Sequence, residues 1–313
     1  MRRKTAIRQH KRWAWLSSAL LAAAALCGCG GGSAASTTTI TTPTVNAKYV
    51  VLVVLENANF SEVVGSADAP YLNSLIAQGS LTTNYYANVH PSIGNYFMMT
   101  TGTMASTDDA YAGQVSPPDM NSVLTSAGKS WKVYAEGIPA PGYTGGDTGA
   151  YLKHHDPFAY FSDVVGSSAA NNIVPFSQLA TDEAATPANF IMIAGNMYDD
   201  GHTCAPSVTT CTTAVRLQQA DAWLQSTLPQ VLNNAAFAAS GLLAVTFDES
   251  DTDNTNGGGK VPTVLLGTNV KSGYQATGLY QHQSLLRLML EAQGIENLPG
   301  ASASASSMSE VWK

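Results

Sequence analysis

Two runs of consecutive apolar residues, 49–55 and 242–247, carry the clearest structural signal in the chain, because neither alternates with polar positions. Continuous, β-branched-rich runs of this length are expected of strands buried on both faces of a largely parallel sheet. Further strand-like runs fall at 81–86, 131–135, 190–194 and 261–266. Helices are predicted between them at 69–77, 120–127, 213–239 and 282–292, with a further buried helix carrying the run Tyr96-Phe97-Met98-Met99-Thr100. Strands alternating with helices predict an α/β fold, a three-layer αβα sandwich around a largely parallel central sheet.

The start of the chain reads differently. Arg2, Arg3, Lys4, Arg8, Lys11 and Arg12 precede an apolar stretch at 13–26 that is too short to favour a membrane-spanning helix. This is the pattern of an export signal, spanning 1–28. It ends in Leu26-Cys27-Gly28-Cys29, which resembles the bacterial lipoprotein cleavage box, except that Cys27 stands where a small uncharged residue is usual. The resemblance implies a lipidated Cys29 as the first mature residue and anchorage in the cell envelope. The alternative is cleavage near Ala34-Ala35 and a soluble secreted product. Residues 29–46, rich in Gly, Ser and Thr, read as a flexible tether. The folded domain is then 47–300, and the low-complexity end, 301–313, is expected to be a loose tail.

Loss of the signal takes Lys plus Arg from 15 to 9 against 22 acidic residues, a formal charge of −13. Such a surface disfavours nucleic acid and anionic membrane faces as partners, so membrane contact is expected only through the lipid. The sequence does not indicate an oligomeric state. With Cys27 and Cys29 assigned to processing, Cys204 and Cys211 remain, close together in a Thr- and Pro-containing loop. In an exported chain that spacing predicts a disulfide.

Both long apolar runs stop at oxygen-rich pairs, Glu56-Asn57 and Asp248-Glu249. In an open α/β sheet, ligands bind beyond the carboxyl ends of the strands. Four such donors gathered there suit a divalent cation, without which the carboxylates would repel one another. Taken singly, each pair is also what a turn or helix cap supplies. In His90-Pro91-Ser92-Ile93-Gly94-Asn95-Tyr96 the serine falls at a helix N-terminus, where exposed amides and the dipole favour an anion; a plain N-cap would look the same. Polar groups also follow the run at 190–194, in Asn196-Met197-Tyr198-Asp199-Asp200-Gly201-His202. His154-His155-Asp156 brings another imidazole on a loop, and His282 opens the last helix.

In chain order, Leu55-Glu56-Asn57, Asp68-Ala69-Pro70-Tyr71-Leu72-Asn73, His90-Pro91-Ser92 to Asn95-Tyr96, Tyr134-Ala135-Glu136, His155 to Pro157-Phe158, Asp200-Gly201-His202, Thr246-Phe247-Asp248-Glu249 and His282 to Arg287 resemble the bacterial phosphoesterase family. That family holds acid phosphatases and phospholipases C within the alkaline phosphatase-like superfamily. The likeness spans nearly all of the mature chain. It implies Glu56, Asn57, Asp248 and Glu249 as metal ligands, Ser92 as the nucleophile beside the metal, and His155 and His202 at the phosphate pocket. Asn95, Asp200 and His282 are expected to bind substrate, with Asp200 supporting the pocket or the metal. Gly94, Asp156 and Tyr198 depart from the commoner residues, but none removes a group expected to act directly.

The activity so implied is metal-dependent hydrolysis of a phosphate ester through a phosphoseryl intermediate. The compact His-Pro-Ser-x-x-Asn-Tyr form points to a phosphomonoesterase of the acid-phosphatase type. A metal would lower the pKa of the Ser92 hydroxyl, and His155 or His202 would protonate the leaving oxygen. A phosphodiesterase or phospholipase C would use the same groups. A surface lipoprotein that binds metal or phosphorylated ligands without turnover is a third reading, and an intact Ser92 argues against it. Oxygen ligands favour Ca, Mg or Mn, while imidazole would admit Zn.

Overall fold

The computed structural model describes residues 45–313. The export signal, the Cys29 lipidation site and most of the tether lie outside the described residues. The chain runs β1 (Tyr49–Leu55), α1 (Phe60–Val63), α2 (Pro70–Gln78), β2 (Ser80–Thr82), β3 (Tyr85–Tyr86), α3 (Ile93–Thr101), α4 (Met120–Ser126) and β4 (Trp131–Ala135). It continues through β5 (Ile173–Pro175), α5 (Leu179–Ala184), β6 (Phe190–Ala194), α6 (Thr213–Leu232), α7 (Ala235–Ser240) and β7 (Gly241–Phe247). The last elements are β8 (Thr263–Gly267), β9 (Tyr274–Ala276), β10 (Tyr280–Gln281) and α8 (His282–Ala292).

Eight strands form one sheet in the order β5-β4-β6-β1-β7-β8-β2-β9. Every pairing is parallel except those of β8, which runs antiparallel to both β7 and β2. β10 and β3 make a separate parallel pair. The helices flank the sheet in two groups: α6 packs with α2, α5 and α7, and α3 packs with α8. This is the expected α/β sandwich. The unbroken apolar run of β1 follows from its central place between β6 and β7, where all seven residues are buried.

Register positions the chemistry. Tyr49 pairs with Gly241 and Leu55 with Phe247, so β1 and β7 end level. Glu56 and Asp248 therefore emerge side by side, tied by the amide of Asp248 donating to the carbonyl of Leu55 at 2.9 Å.

Three expectations need correction. The strand at 81–86 is two strands, because β2 pairs with β8 and β9 while β3 turns away to pair with β10. The helix at 213–239 breaks at Asn233-Asn234, where the Asn234 side chain accepts from the Ala236 amide and caps α7. The buried helix opens at Ile93, just after Ser92 as expected, and all nine of its residues are buried. The tail 301–313 is not loose: Met308, Val311 and Trp312 are buried, and Trp312 bridges to Val270. Its low-complexity Ala and Ser residues carry no periodicity, but the apolar residues beyond them have a core to join.

Candidate active site

Glu56 lies at the centre of the cluster. Its Oε2 accepts from Ser92 Oγ at 3.1 Å, and its Oε1 accepts from Tyr96 OH at 2.6 Å. Ser92 sits at the N-cap position of α3, yet its hydroxyl caps nothing in the helix. The helix end is closed instead by Asp109, whose Oδ1 accepts from the Ile93 amide at 2.9 Å. Of the amides expected to be exposed there, that of Ile93 is already paired with a carboxylate.

Asn57, at φ 31°, adopts a left-handed conformation that Asn tolerates better than most residues. The turn aims its amide N–H at Asp248 Oδ1, 3.3 Å away, and its Nδ2 at Glu249 Oε1, 3.0 Å away. Glu249 also faces His90 Nδ1 at 3.2 Å and Asn95 Nδ2 at 3.3 Å. Its two oxygens thus meet three side chains, as do those of Glu56. Asn57 Oδ1 and Asp248 Oδ2, by contrast, are buried without a hydrogen-bond partner.

His155 is wedged between two carboxylates, with Nε2 3.2 Å from Glu56 Oε1 and Nδ1 2.8 Å from Asp200 Oδ2. Neither contact has hydrogen-bond geometry. Burial, helped by His202, pulls its pKa down to about 3, so the imidazole is neutral. Tyr96 stacks on it with ring centroids 5.4 Å apart and an interplanar angle of 11°. His202 is exposed at the rim, its ring 5.8 Å from that of His155.

The electrostatics are those of crowded anions. Burial and then the neighbouring carboxylates hold Glu56 and Asp248 well above the usual carboxylate range. Burial pushes Asp200 and Glu249 up to about 8. Among the described residues no three His, Cys, Asp or Glu side chains are arranged to enclose a metal ion by themselves. The donor set is nevertheless one a hard cation fits. It joins Glu56, Asp248 and the Ser92 hydroxyl with an unpartnered amide oxygen on Asn57, and positive charge would relieve the repulsion that raises the carboxyl pKa values.

The three residues expected to bind substrate are all buried, at 0% for Asn95, 1% for Asp200 and 0% for His282. Their polar atoms face the protein. Asn95 Oδ1 accepts from the amides of Asn88 and Val89, and its Nδ2 donates to the Val89 carbonyl and to Glu249. Asp200 Oδ1 accepts from the His202 amide while Oδ2 backs His155. His282 bridges the Asp248 carbonyl, 2.6 Å from Nε2, and Tyr85 OH, 2.9 Å from Nδ1. They brace the site from behind. Cys204 and Cys211 form the expected disulfide, just after His202.

Tyr96, His90 and Asp109 were not assigned roles from the sequence. Tyr96 had a signal: four residues after Ser92, it falls on the same face of α3. His90 and Asp109 reach the site only through loops.

The phosphoesterase family model matches residues 65–296. A phosphatidylinositol-3-phosphatase of Mycobacterium tuberculosis is 31% identical over 84% of this chain and 82% of its own length. A probable acid phosphatase of Kluyveromyces lactis is 29% identical over 76% of this chain, which spans only 56% of that longer protein. Among solved structures, a protein of the alkaline phosphatase superfamily from Vibrio parahaemolyticus superposes with a TM-score of 0.57, at 12% identity, over 81% of this chain and 68% of its own. The sheet with its carboxylates at neighbouring strand ends is thus the fold of that superfamily, and the chain belongs to the phosphoesterase family, as a phosphoric ester hydrolase.

Proposed function

We propose that this hydrolase acts on phosphomonoesters, with a divalent cation held by Glu56, Asn57, Asp248 and Glu249, and that Ser92 is its nucleophile. One observation carries the reading: the Ser92 hydroxyl is directed at Glu56 Oε2 beside unpartnered oxygens of Asn57 and Asp248. The cation, when bound, supplies charge neutralisation and eases ionisation of the serine hydroxyl. Glu56 Oε2 receives the Ser92 hydrogen bond and so leaves a lone pair of Oγ free for in-line attack on phosphorus. The Oγ–P bond forms as the Ser92 proton passes to Glu56 Oε2 and the bond to the leaving oxygen breaks, giving a phosphoserine. His202, exposed at the rim, would protonate that oxygen, while buried His155 would separate Glu56 from Asp200. Water then cleaves the phosphoserine and restores Ser92.

The acid phosphatases among the relatives, and the phosphatidylinositol-3-phosphatase, support a monoester over a diester. The test sets p-nitrophenyl phosphate against bis(p-nitrophenyl) phosphate, after chelation and readdition of Mg, Ca, Mn or Zn singly. Expected are monoester turnover restored by at least one ion and none in Ser92→Ala. Wild-type turnover by Ser92→Ala would overturn the nucleophile, and faster diester cleavage would shift the reading to a phosphodiesterase.

The same proposal covers location: export, with Cys29 lipidated and residues 30–46 as the tether. Mass spectrometry of the mature terminus tests it, and an unmodified terminus beyond residue 29 would remove the anchor.

A further inference from the structure

A cavity of about 340 Å³ is walled by Asp109, Tyr111, Asp147, Lys153 and Tyr160. Two of these residues tie it to the candidate active site: Asp109 accepts from the amide of Ile93, next to Ser92, and Lys153 lies two residues before His155. The volume is at the small end of the range for small-molecule sites, roughly 300–1,000 Å³. We propose that this cavity is the leaving-group site and that it takes a neutral, polyhydroxylated alcohol. The proposal rests on the hydrolase reading of the adjoining site and names the substrate class it would serve.

The chemistry of the walls selects that class. Asp109 and Asp147 each use one oxygen on a backbone amide, of Ile93 and Lys153 respectively, at 2.9 and 2.8 Å. Among the described residues, the second oxygen of each has no hydrogen-bond donor from the protein. Lys153 Nζ lies 4.2 Å from the centroid of the Tyr160 ring and makes no ion pair among the described residues. Tyr160 in turn stacks on Tyr111 with centroids 6.0 Å apart.

A polyol meets carboxylate acceptors and an ammonium donor, so its hydroxyls, on leaving water, find partners of both kinds. Other leaving groups fit worse. A second phosphate would face Asp109 and Asp147. A quaternary ammonium would find the Tyr160 face already covered by Lys153. An acyl chain would desolvate charged groups without replacing their hydrogen bonds.

The experiment uses the full chain supplied with the activating cation. It compares kcat/KM for a hexose 6-phosphate, phosphocholine and p-nitrophenyl phosphate in wild type, Asp147→Asn and Lys153→Met. Wild type is expected to prefer the hexose phosphate to phosphocholine. Each variant should lower the ratio of hexose phosphate to p-nitrophenyl phosphate roughly tenfold, mainly through KM, as loss of one charge-assisted hydrogen bond predicts. An unmoved ratio in both variants, or a preference for phosphocholine, would overturn the proposal.

Calorimetric binding of the hexose phosphate to Ser92→Ala, with and without Asp147→Asn, separates this inference from the reading beneath it. Absence of turnover on every ester would sink the hydrolase reading alone. Equal binding by the two proteins would sink the subsite.

Discussion

Tyr96 holds Glu56 and His155 in one arrangement: its hydroxyl donates to Glu56 Oε1 at 2.6 Å while its ring lies stacked on the imidazole. Burial and the nearby carboxylates push the Glu56 pKa up, and the Tyr96 hydrogen bond pulls the other way. The tyrosine therefore favours the ionised form of Glu56. Tyr96→Phe retains the stacking and deletes only the donor. A hydrogen bond to a charged group is worth about 1.5–3 kcal/mol, so the variant should need roughly ten- to a hundredfold more divalent cation for half-maximal activity. A cation titration of activity checks this, and an unchanged midpoint would mean that Tyr96 serves only as packing.

Asp248→Asn is expected to keep the fold and lose most of the bound cation, with turnover down by roughly a thousandfold or more. The residue sits just beyond β7, so the sheet hydrogen bonds do not need its carboxylate. Elemental analysis and circular dichroism on the same preparation separate the two effects. A variant with wild-type cation content and turnover would show that the ligand assignment is wrong.

The cation-free protein should lose stability as pH rises. Glu56 and Asp248 are held well above their ordinary pKa by burial, and Asp200 and Glu249 are pushed up to about 8. A carboxyl with a raised folded-state pKa stabilises at low pH, and that contribution drains away as pH climbs through the folded value. Buried His154, His155 and His282, pulled down by burial to about 4, 3 and 4 from 6.5, act only below pH 6.5 and with opposite sign. Between pH 6.5 and 8 the carboxyls alone set the slope. Tm measured in chelator should fall across that window, and a saturating divalent cation should flatten the fall. A Tm that rises in chelator would show that the carboxylates do not repel.

The main strands were legible because a central parallel strand must be apolar on both faces, a pattern few other elements share. Glu56, Asn57, Asp248 and Glu249 could be found for the same reason, as polar residues that end such runs. Inward-facing support was harder to read. His282, Asn95 and Asp200 carry polar groups that suit substrate contact equally well, and only packing shows that Tyr85, Asn88 and the Asp248 carbonyl use them instead. The edge strands β5, β9 and β10 are two or three residues long and show no period. Asp109 reaches Ile93 across a loop of irregular sequence, and nothing local marks it.

The Cys204–Cys211 disulfide closes a short loop beside His202, whose carbonyl is also held by Arg216 Nη1 at 3.3 Å. Both sulfurs should resist alkylation until the protein is reduced. Bridges over loops this short fall near the low end of the usual range, about 2 kcal/mol. Cys204→Ser with Cys211→Ser should therefore lower Tm by several degrees and raise KM more than it lowers kcat. Two thiols that react in the unreduced protein would contradict the bridge.

The end of the chain should matter to activity although it lies apart from the ligands. Glu310 accepts from Tyr274 OH at 3.0 Å, from the Gly278 amide at 2.8 Å and from Tyr280 OH, pinning β9 and β10 to the tail. β10 leads directly into His282, which holds the Asp248 carbonyl. Glu310→Ala removes three acceptor contacts at once, and at about 1 kcal/mol each it should cost roughly 3 kcal/mol, or about 6–12 °C in Tm. Loosening β10 frees His282 to drift from Asp248, so turnover measured well below the new Tm should also drop, with a higher cation requirement. Glu310→Gln keeps an acceptor oxygen and should recover part of both. If Glu310→Ala lowers Tm but leaves the cation midpoint where it was, the tail supports only the fold and does not extend to the site.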